Sequence, residues 1–190
     1  MKYVVIYTHP NPQSFNHAIL DRVKGLLRAA GHECEVRDLY ALGFDPVLGA
    51  GEADPSSGAA PPPDVEREQR AIDAAGGVVL IYPVWWWGMP AMLRGYIDRV
   101  FTLGFAYGID GDKLVGRLTG KKAFIVNTLG STRDVNVHMG YEEAMRRTAD
   151  VGTLGFCGMK VVEHRFLYDV HSLDDAARKR MLDDLATIEF

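Results

Sequence analysis

Short apolar runs alternate with helix-period stretches along the whole chain. Val4–Tyr7, Val78–Tyr82 and Ala123–Asn127 are largely continuous apolar runs, as expected of strands buried on both faces. Cys34–Leu39 alternates in the manner of an edge strand, and a fifth strand falls near Met159–Val162. Helical patterns run from about Asn16 to Ala30, with Gly31 as the stop, and over Ala91–Phe101 and about Asp174–Thr187. Asp64 is placed to cap a further helix that ends at Ala75. Between Asp45 and Pro63 a stretch rich in Gly, Ala, Ser and Pro has no period and reads as a surface loop or a partly disordered excursion. Strands interleaved with helices in 190 residues predict one domain with a five-stranded parallel sheet covered on both faces.

That α/β architecture is flavodoxin-like, order 2-1-3-4-5, and binds ligands at the carboxyl ends of strands one, three and four. The sequence puts unusual residues at all three ends. After the first strand comes Thr8-His9-Pro10-Asn11-Pro12-Gln13-Ser14-Phe15-Asn16, leading into a helix. Backbone N–H groups at that helix start, with the side chains of Ser14 and Asn16, form an anion pocket to which His9 can donate; Ser14 or Asn16 serves equally as a helix cap. After the third strand comes Tyr82-Pro83-Val84-Trp85-Trp86-Trp87-Gly88-Met89-Pro90. Three tryptophans on one strand-to-helix loop suit a large flat ligand better than a core cap. After the fourth comes Asn127-Thr128-Leu129-Gly130, where glycine permits close backbone approach.

Composition narrows the function classes. The net charge is -4 and no basic stripe is present, which argues against a nucleic-acid partner. No segment is long and apolar enough for membrane insertion and no signal peptide is read, so a cytoplasmic location is expected. Cys34 and Cys157 fit buried reduced thiols, and the histidines lack ligand spacing, so no metal is expected. Neither GxGxxG nor GxxxxGK[ST] occurs.

The order of these pieces, with Asp38-Leu39-Tyr40-Ala41, Leu93-Arg94-Gly95-Tyr96-Ile97-Asp98-Arg99-Val100-Phe101, Phe105-Ala106-Tyr107 and Phe156-Cys157-Gly158, resembles the NAD(P)H:quinone oxidoreductases, the DT-diaphorase-like flavoproteins, in their short bacterial form. The resemblance implies a flavin, FAD with FMN as the close alternative, reduced by NAD(P)H and reoxidised by a quinone in two-electron ping-pong hydride transfer. By matching position, His9, Phe15 and Asn16 hold the phosphate and ribityl chain. Pro83, Val84, Trp85, Trp86 and Trp87 line the ring edge, and Asn127, Thr128, Leu129 and Gly130 its pyrimidine side. Arg178 stands near the distal part of the cofactor and is the reason for preferring FAD. Trp86, Trp87, Tyr107 and Phe156 fall in the substrate slot, with Tyr107 reaching into the partner subunit of a homodimer.

His138 lies within a residue or so of the family's active-site histidine and could act as general acid. The family's tyrosine is replaced by Val135, with Tyr141 near enough to substitute. Leu129, where larger members have glycine, is expected to narrow the approach to the ring. The loop 49–63 is shorter than in the animal enzymes, which weakens the case for FAD. Some short members of the same family are ancillary regulatory subunits of bacterial potassium-efflux systems, so partner binding is the alternative function. A one-electron carrier is disfavoured by the bulky tryptophan loop.

Overall fold

The computed structural model describes residues 1–52 and 60–190; part of the expected Asp45–Pro63 loop therefore lies outside the described residues. The elements are β1 (Lys2–Tyr7), α1 (Phe15–Ala29), β2 (Glu33–Asp38), α2 (Pro63–Asp73), β3 (Gly77–Pro83), α3 (Ala91–Val100), β4 (Tyr107–Asp110), β5 (Lys113–Gly116), β6 (Lys122–Thr128), α4 (Arg133–His138), α5 (Tyr141–Arg146), a π-helix (Arg147–Gly155), β7 (Lys160–Leu167), α6 (Asp175–Asp184) and a 3₁₀ turn (Leu185–Thr187). The main sheet is parallel in the order β2-β1-β3-β6-β7, which is the expected 2-1-3-4-5 pattern with β6 and β7 as its fourth and fifth strands.

Alternation within the strands divides the core. Val4, Ile6, Val78, Leu80, Ala123 and Ile125 pack with α2 and α3, while Tyr3, Val5, Tyr7, Val79, Ile81, Phe124 and Val126 pack with α1 on the other face. The fifth strand is longer than the sequence suggested, because His164 and Arg165 continue its pairing with β6. An antiparallel β4–β5 ribbon was not anticipated; its loop Gly111-Asp112 has positive φ at Gly111 (58°) only.

Asp64 does not cap α2. The helix starts at Pro63 after Pro62, and Pro at its first position needs no N–H partner. Asp64 instead accepts from Arg99 Nη1 at 2.7 Å, beside a Glu52 bond to Nε at 2.9 Å and an Asp45 carbonyl bond at 2.7 Å. This buried guanidinium ties the residues flanking the Gly/Pro-rich segment to α3. The backbone of the same segment approaches α3 so closely that a Cβ on Gly95 would run into the Pro46 carbonyl. Gly95→Ala is expected to cost about 2 kcal/mol, the scale of overpacking in a closed core; urea melts of the two proteins check this.

Candidate active site

Thr8, at the end of β1, is fully buried; its N–H is donated to the Ile81 carbonyl at 3.0 Å, and its Oγ1 has no partner among the described residues. Ser14 caps α1, its Oγ accepting from the His17 N–H at 3.2 Å and lying 3.3 Å from the Tyr7 hydroxyl. Its hydroxyl is thus engaged by its own helix, as the cap reading required. Asn16, only 4% exposed, donates from Nδ2 to Thr128 Oγ1 at 2.9 Å, while its Oδ1 is buried without a partner. Phe15 is half-buried against the α1-side core. His9 Nδ1 lies 3.0 Å from the Asn11 nitrogen and 3.2 Å from the Asn11 carbonyl oxygen, accepting from the one or donating to the other according to the tautomer. Burial holds its pKa below the ordinary value, against a smaller opposing effect of the Asn11 backbone.

The tryptophans occupy a tight turn. Trp85 and Gly88 exchange two backbone hydrogen bonds of 3.1 Å each, and Trp86 and Trp87 between them have φ of 52° and 53°. Two positive-φ residues in a two-residue loop are the geometry that normally selects Asn-Gly. Here β-carbons occupy it, at a cost of roughly 1–2 kcal/mol per residue. Trp86 is 93% exposed, so burial does not compensate. Trp87 lies against Tyr141 with ring centroids 4.3 Å apart, and Trp85 lies 6.4 Å from His9. Below the turn, Pro83 is buried and the Val84 N–H is donated to the Thr128 carbonyl at 2.8 Å. His9, Asn16, the tryptophan turn, Thr128 and Tyr141 are therefore linked by a chain of contacts at the carboxyl ends of the central strands β1, β3 and β6.

Other sequence candidates sit differently. Leu129 is 2% exposed and packs with Met145 and Phe166. It supports the floor and does not narrow the mouth as the sequence suggested, because its N–H is held by the Leu167 carbonyl at 2.8 Å in continuation of the sheet. Asn127 is fully buried and bonded to His164, 2.8 Å from Nε2, so its side chain is turned into the interior. Gly130 is exposed, and a Cβ there would approach His171 Cδ2 to 2.9 Å. His171, set aside from sequence for want of ligand spacing, thus borders the Gly130 turn. His138 is the exposed last residue of α4. Arg178 donates from Nε to the Val170 carbonyl at 3.2 Å and pairs with Asp175 at 3.1 Å, so it braces the loop next to Leu129, whose carbonyl the Val170 N–H reaches at 3.1 Å. Tyr107 and Phe156 pair with each other, centroids 5.3 Å apart, and among the described residues no ring contact joins them to the tryptophan turn.

Between β7 and the α5/π-helix segment lies a charged zipper. Tyr168 donates to Glu142 at 2.5 Å; Arg146 bonds Glu142, approaches Asp150 at 3.8 Å and donates to the His164 carbonyl at 3.3 Å. His164 Nδ1 lies 2.6 Å from Asp150 Oδ1, and its ring stacks on Phe166 at 4.0 Å. Burial lowers the His164 pKa, outweighing the attraction of Asp150. The folded chain therefore refuses a proton that the unfolded chain takes up. Its contribution to stability is complete above about pH 6.5 and is lost as the pH falls through that value towards the folded pKa. Thermal melts between about pH 7.5 and pH 5 should show this loss, and it should shrink in His164→Gln.

Among the described residues no group of His, Cys, Asp and Glu is arranged to hold a metal, and no helix is long and apolar enough to cross a membrane. A family model described as the flavodoxin-like fold matches residues 1–188. The chain belongs to that family. A NAD(P)H oxidoreductase of Haemophilus influenzae, itself uncharacterised, is 35% identical over 96% of this chain and 91% of its own length. The guinea-pig NAD(P)H dehydrogenase [quinone] 1 is 30% identical over 94% of this chain and 72% of its own. The structure of an NAD(P)H:quinone oxidoreductase from Methanothermobacter marburgensis superposes with a TM-score of 0.87 at 31% identity, covering 98% of this chain and 94% of that one. Within the flavodoxin-like family the chain thus falls among the NAD(P)H:quinone oxidoreductases, and it is an oxidoreductase enzyme.

Proposed function

We propose that the chain binds a flavin across the carboxyl ends of β1, β3 and β6 and uses it to pass hydride from NAD(P)H to a quinone or a similarly flat acceptor. The observation that carries this reading is the pair of orphaned oxygens, Thr8 Oγ1 and Asn16 Oδ1, at the foot of a strained, solvent-facing Trp86-Trp87 turn. Unpaired buried oxygens at a crevice cost about 1–3 kcal/mol each unless a ligand donor meets them. A ribityl chain carries hydroxyl donors, and an isoalloxazine supplies the flat face that exposed indoles stack on. The residues present fit the group.

A bound flavin would supply two-electron hydride chemistry between NAD(P)H and the acceptor, the two substrates using the same slot in turn. The chain's own residues do the rest. Asn16 and Thr8 would seat the ribityl oxygens, with His9, Ser14 and Phe15 at the phosphate end beside the α1 N-terminus. Pro83, Val84 and Trp85 would line the ring edge, and Thr128, Leu129 and Gly130 its pyrimidine side, with Asn127 supporting from below. Trp86 and Trp87 would form the slot for the incoming rings and exclude water. Tyr141, held against Trp87, is the proton donor we favour for the acceptor oxygen, with exposed His138 as the alternative. FAD remains the cofactor reading and FMN its alternative, Arg178 being the residue that would stand towards the distal half.

A homodimer is part of the reading. Val135, Val137, Met139 and Phe156 are apolar and exposed in the single chain, an apolar surface that a second copy would cover while Tyr107 and Phe156 complete its slot. Sedimentation should give twice the chain mass. The decisive test is an absorbance spectrum of the purified protein, chromatography of the cofactor released by heat, and NAD(P)H–menadione turnover. Flavin bands with quinone-dependent oxidation support the reading. A colourless protein that takes up no added flavin and oxidises no NAD(P)H overturns it in favour of partner binding. A cytoplasmic location goes with this chemistry, and fractionation of cells checks it.

A further inference from the structure

His164 has no place in the crevice chemistry, yet its imidazole is enclosed within a network of polar side chains. Its side chain is 0% exposed, and both ring nitrogens have partners: Asp150 Oδ1 at 2.6 Å from Nδ1 and Asn127 Nδ2 at 2.8 Å from Nε2. These contacts dictate one protonation state. An ionised Asp150 only accepts, so Nδ1 carries the proton; an amide nitrogen only donates, so Nε2 presents its lone pair. The neutral Nδ1–H tautomer satisfies both bonds.

The partners come from opposite directions. Asp150 belongs to the π-helix, whose wider winding is rare over nine residues and clusters at functional sites elsewhere. Asn127 pairs in register with Tyr82 on one side and Phe166 on the other, one residue short of Thr128. Thr128 in turn holds two pieces of the crevice: its Oγ1 accepts from Asn16 at 2.9 Å and its carbonyl accepts from the Val84 N–H at 2.8 Å.

We propose that His164 is a positioning residue for the crevice: clamped by Asp150, it fixes the Asn127 carboxamide and thereby the end of β6 on which Asn16 and the root of the tryptophan turn are hung. The inference rests on the flavin-site reading of that crevice. It carries a consequence that simple packing does not. A second proton on Nε2 would face the Asn127 amide donor, so the carboxamide must turn over to present Oδ1, which is buried and unpartnered in the observed orientation. The charged groups facing the ring are Asp150 and, further along the zipper, Arg146 and Glu142, and the first of these already binds the proton on the other nitrogen.

The test compares His164→Gln and His164→Asn. Glutamine can reach as far as Nε2 and accept from Asn127; asparagine reaches only to the Nδ1 position and can bond Asp150 alone. Both remove the ring; the larger cavity left by asparagine is read from the melting temperatures of the two variants, and a packing role predicts FMN affinities that follow that stability difference while a positioning role predicts a loss beyond it. Fluorescence titration with FMN near pH 8 is expected to give affinity within about threefold of the parent for Gln and a loss of at least about tenfold for Asn, the effect of one buried hydrogen bond. The ratio of parent to His164→Gln affinity should fall as the pH is lowered from about 7 to about 5, and the phosphate's own titration near ~6 cancels in that ratio. Nitrogen-15 NMR of the parent should show the Nδ1–H tautomer whether or not flavin is added.

Equal losses in the two variants, a flat ratio, or the Nε2–H tautomer would each overturn the proposal. Should His164→Asn not fold, Asp150→Asn, at a partly exposed site, is expected to mix the tautomers and weaken FMN several-fold; unchanged tautomer and affinity there overturn it equally. If the parent itself binds no flavin, the site reading fails and the positioning role with it. Flavin bound alike by all variants removes only the role of His164.

Discussion

Trp86→Asn makes the protein more stable and the enzyme worse. Trp86 is a bulky L-residue at φ 52° in a two-residue loop, 93% exposed, with its whole indole in water. Asn tolerates this region of backbone far better and is the preferred first residue of such a loop. Relief of strain of about 1 kcal/mol should raise the melting temperature by roughly 2–4 °C in a chain of this size. Nothing in the core is given up, since the side chain buries almost nothing. The flat face over the slot is lost, and NAD(P)H-dependent quinone reduction should fall at least about tenfold, mainly through KM, if two stacking contacts of about 1 kcal/mol each are removed. Calorimetry and steady-state kinetics on one preparation check both halves. A variant that is no more stable would mean that the turn is not strained, and one that turns over quinone as before would mean that it is not part of the slot. Stability gained where activity is lost is the signature of a locally strained functional residue.

How much of this was legible in the chain depends on whether the cause was local. The parallel sheet was legible because Val4–Tyr7, Val78–Tyr82 and Ala123–Asn127 are apolar runs that only a two-sided burial explains. The tryptophan loop stood out for the opposite reason, as apolar residues where a strand has ended. Its backbone did not, because Trp-Trp carries none of the usual chemistry of a positive-φ turn. The β4–β5 ribbon could have been found: Gly111-Asp112, with glycine at the first loop position, is a hairpin signal, but its flanking strands are only four residues each and half polar. Asp64 misled because a good capping side chain preceded a helix, and tertiary demand from Arg99 won. Buried charge was the least legible. Glu68 sits in a run that looks like a solvated helix face, yet it is 2% exposed, pairing with Arg37 and accepting from the Tyr96 hydroxyl at 3.3 Å. His164 and its partners Asp150 and Asn127 are 14 and 37 residues apart, a distance over which no spacing rule operates.

The cradle, unlike the turn, can be tested without turnover. Asn16→Leu keeps the approximate size of a buried side chain and removes both its polar atoms. In the cofactor-free chain this has opposing effects. The donor to Thr128 Oγ1 is lost, but so is an oxygen that is buried without a partner, and replacing such a group by an apolar one is nearly neutral. The cofactor-free protein should therefore change in stability by less than about 1 kcal/mol. In the flavin complex the balance differs, because the ribityl hydroxyl that would meet Asn16 Oδ1 is then desolvated against a methyl group. One buried donor left unpaired costs about 1–3 kcal/mol, which is a roughly 5- to 150-fold loss of flavin affinity. Released-cofactor content and a fluorescence titration read this directly, and the melting temperature should no longer rise when flavin is added at concentrations that stabilise the parent. If Asn16→Leu binds flavin as tightly as the parent, the orphaned oxygen at the foot of the crevice is not a cofactor contact. If instead the cofactor-free protein is the one that collapses, the Asn16–Thr128 bond is a structural rivet between α1 and β6. The two outcomes are separated by measuring stability and affinity on the same material, and the orphaned oxygen makes the first of them the one that should not occur.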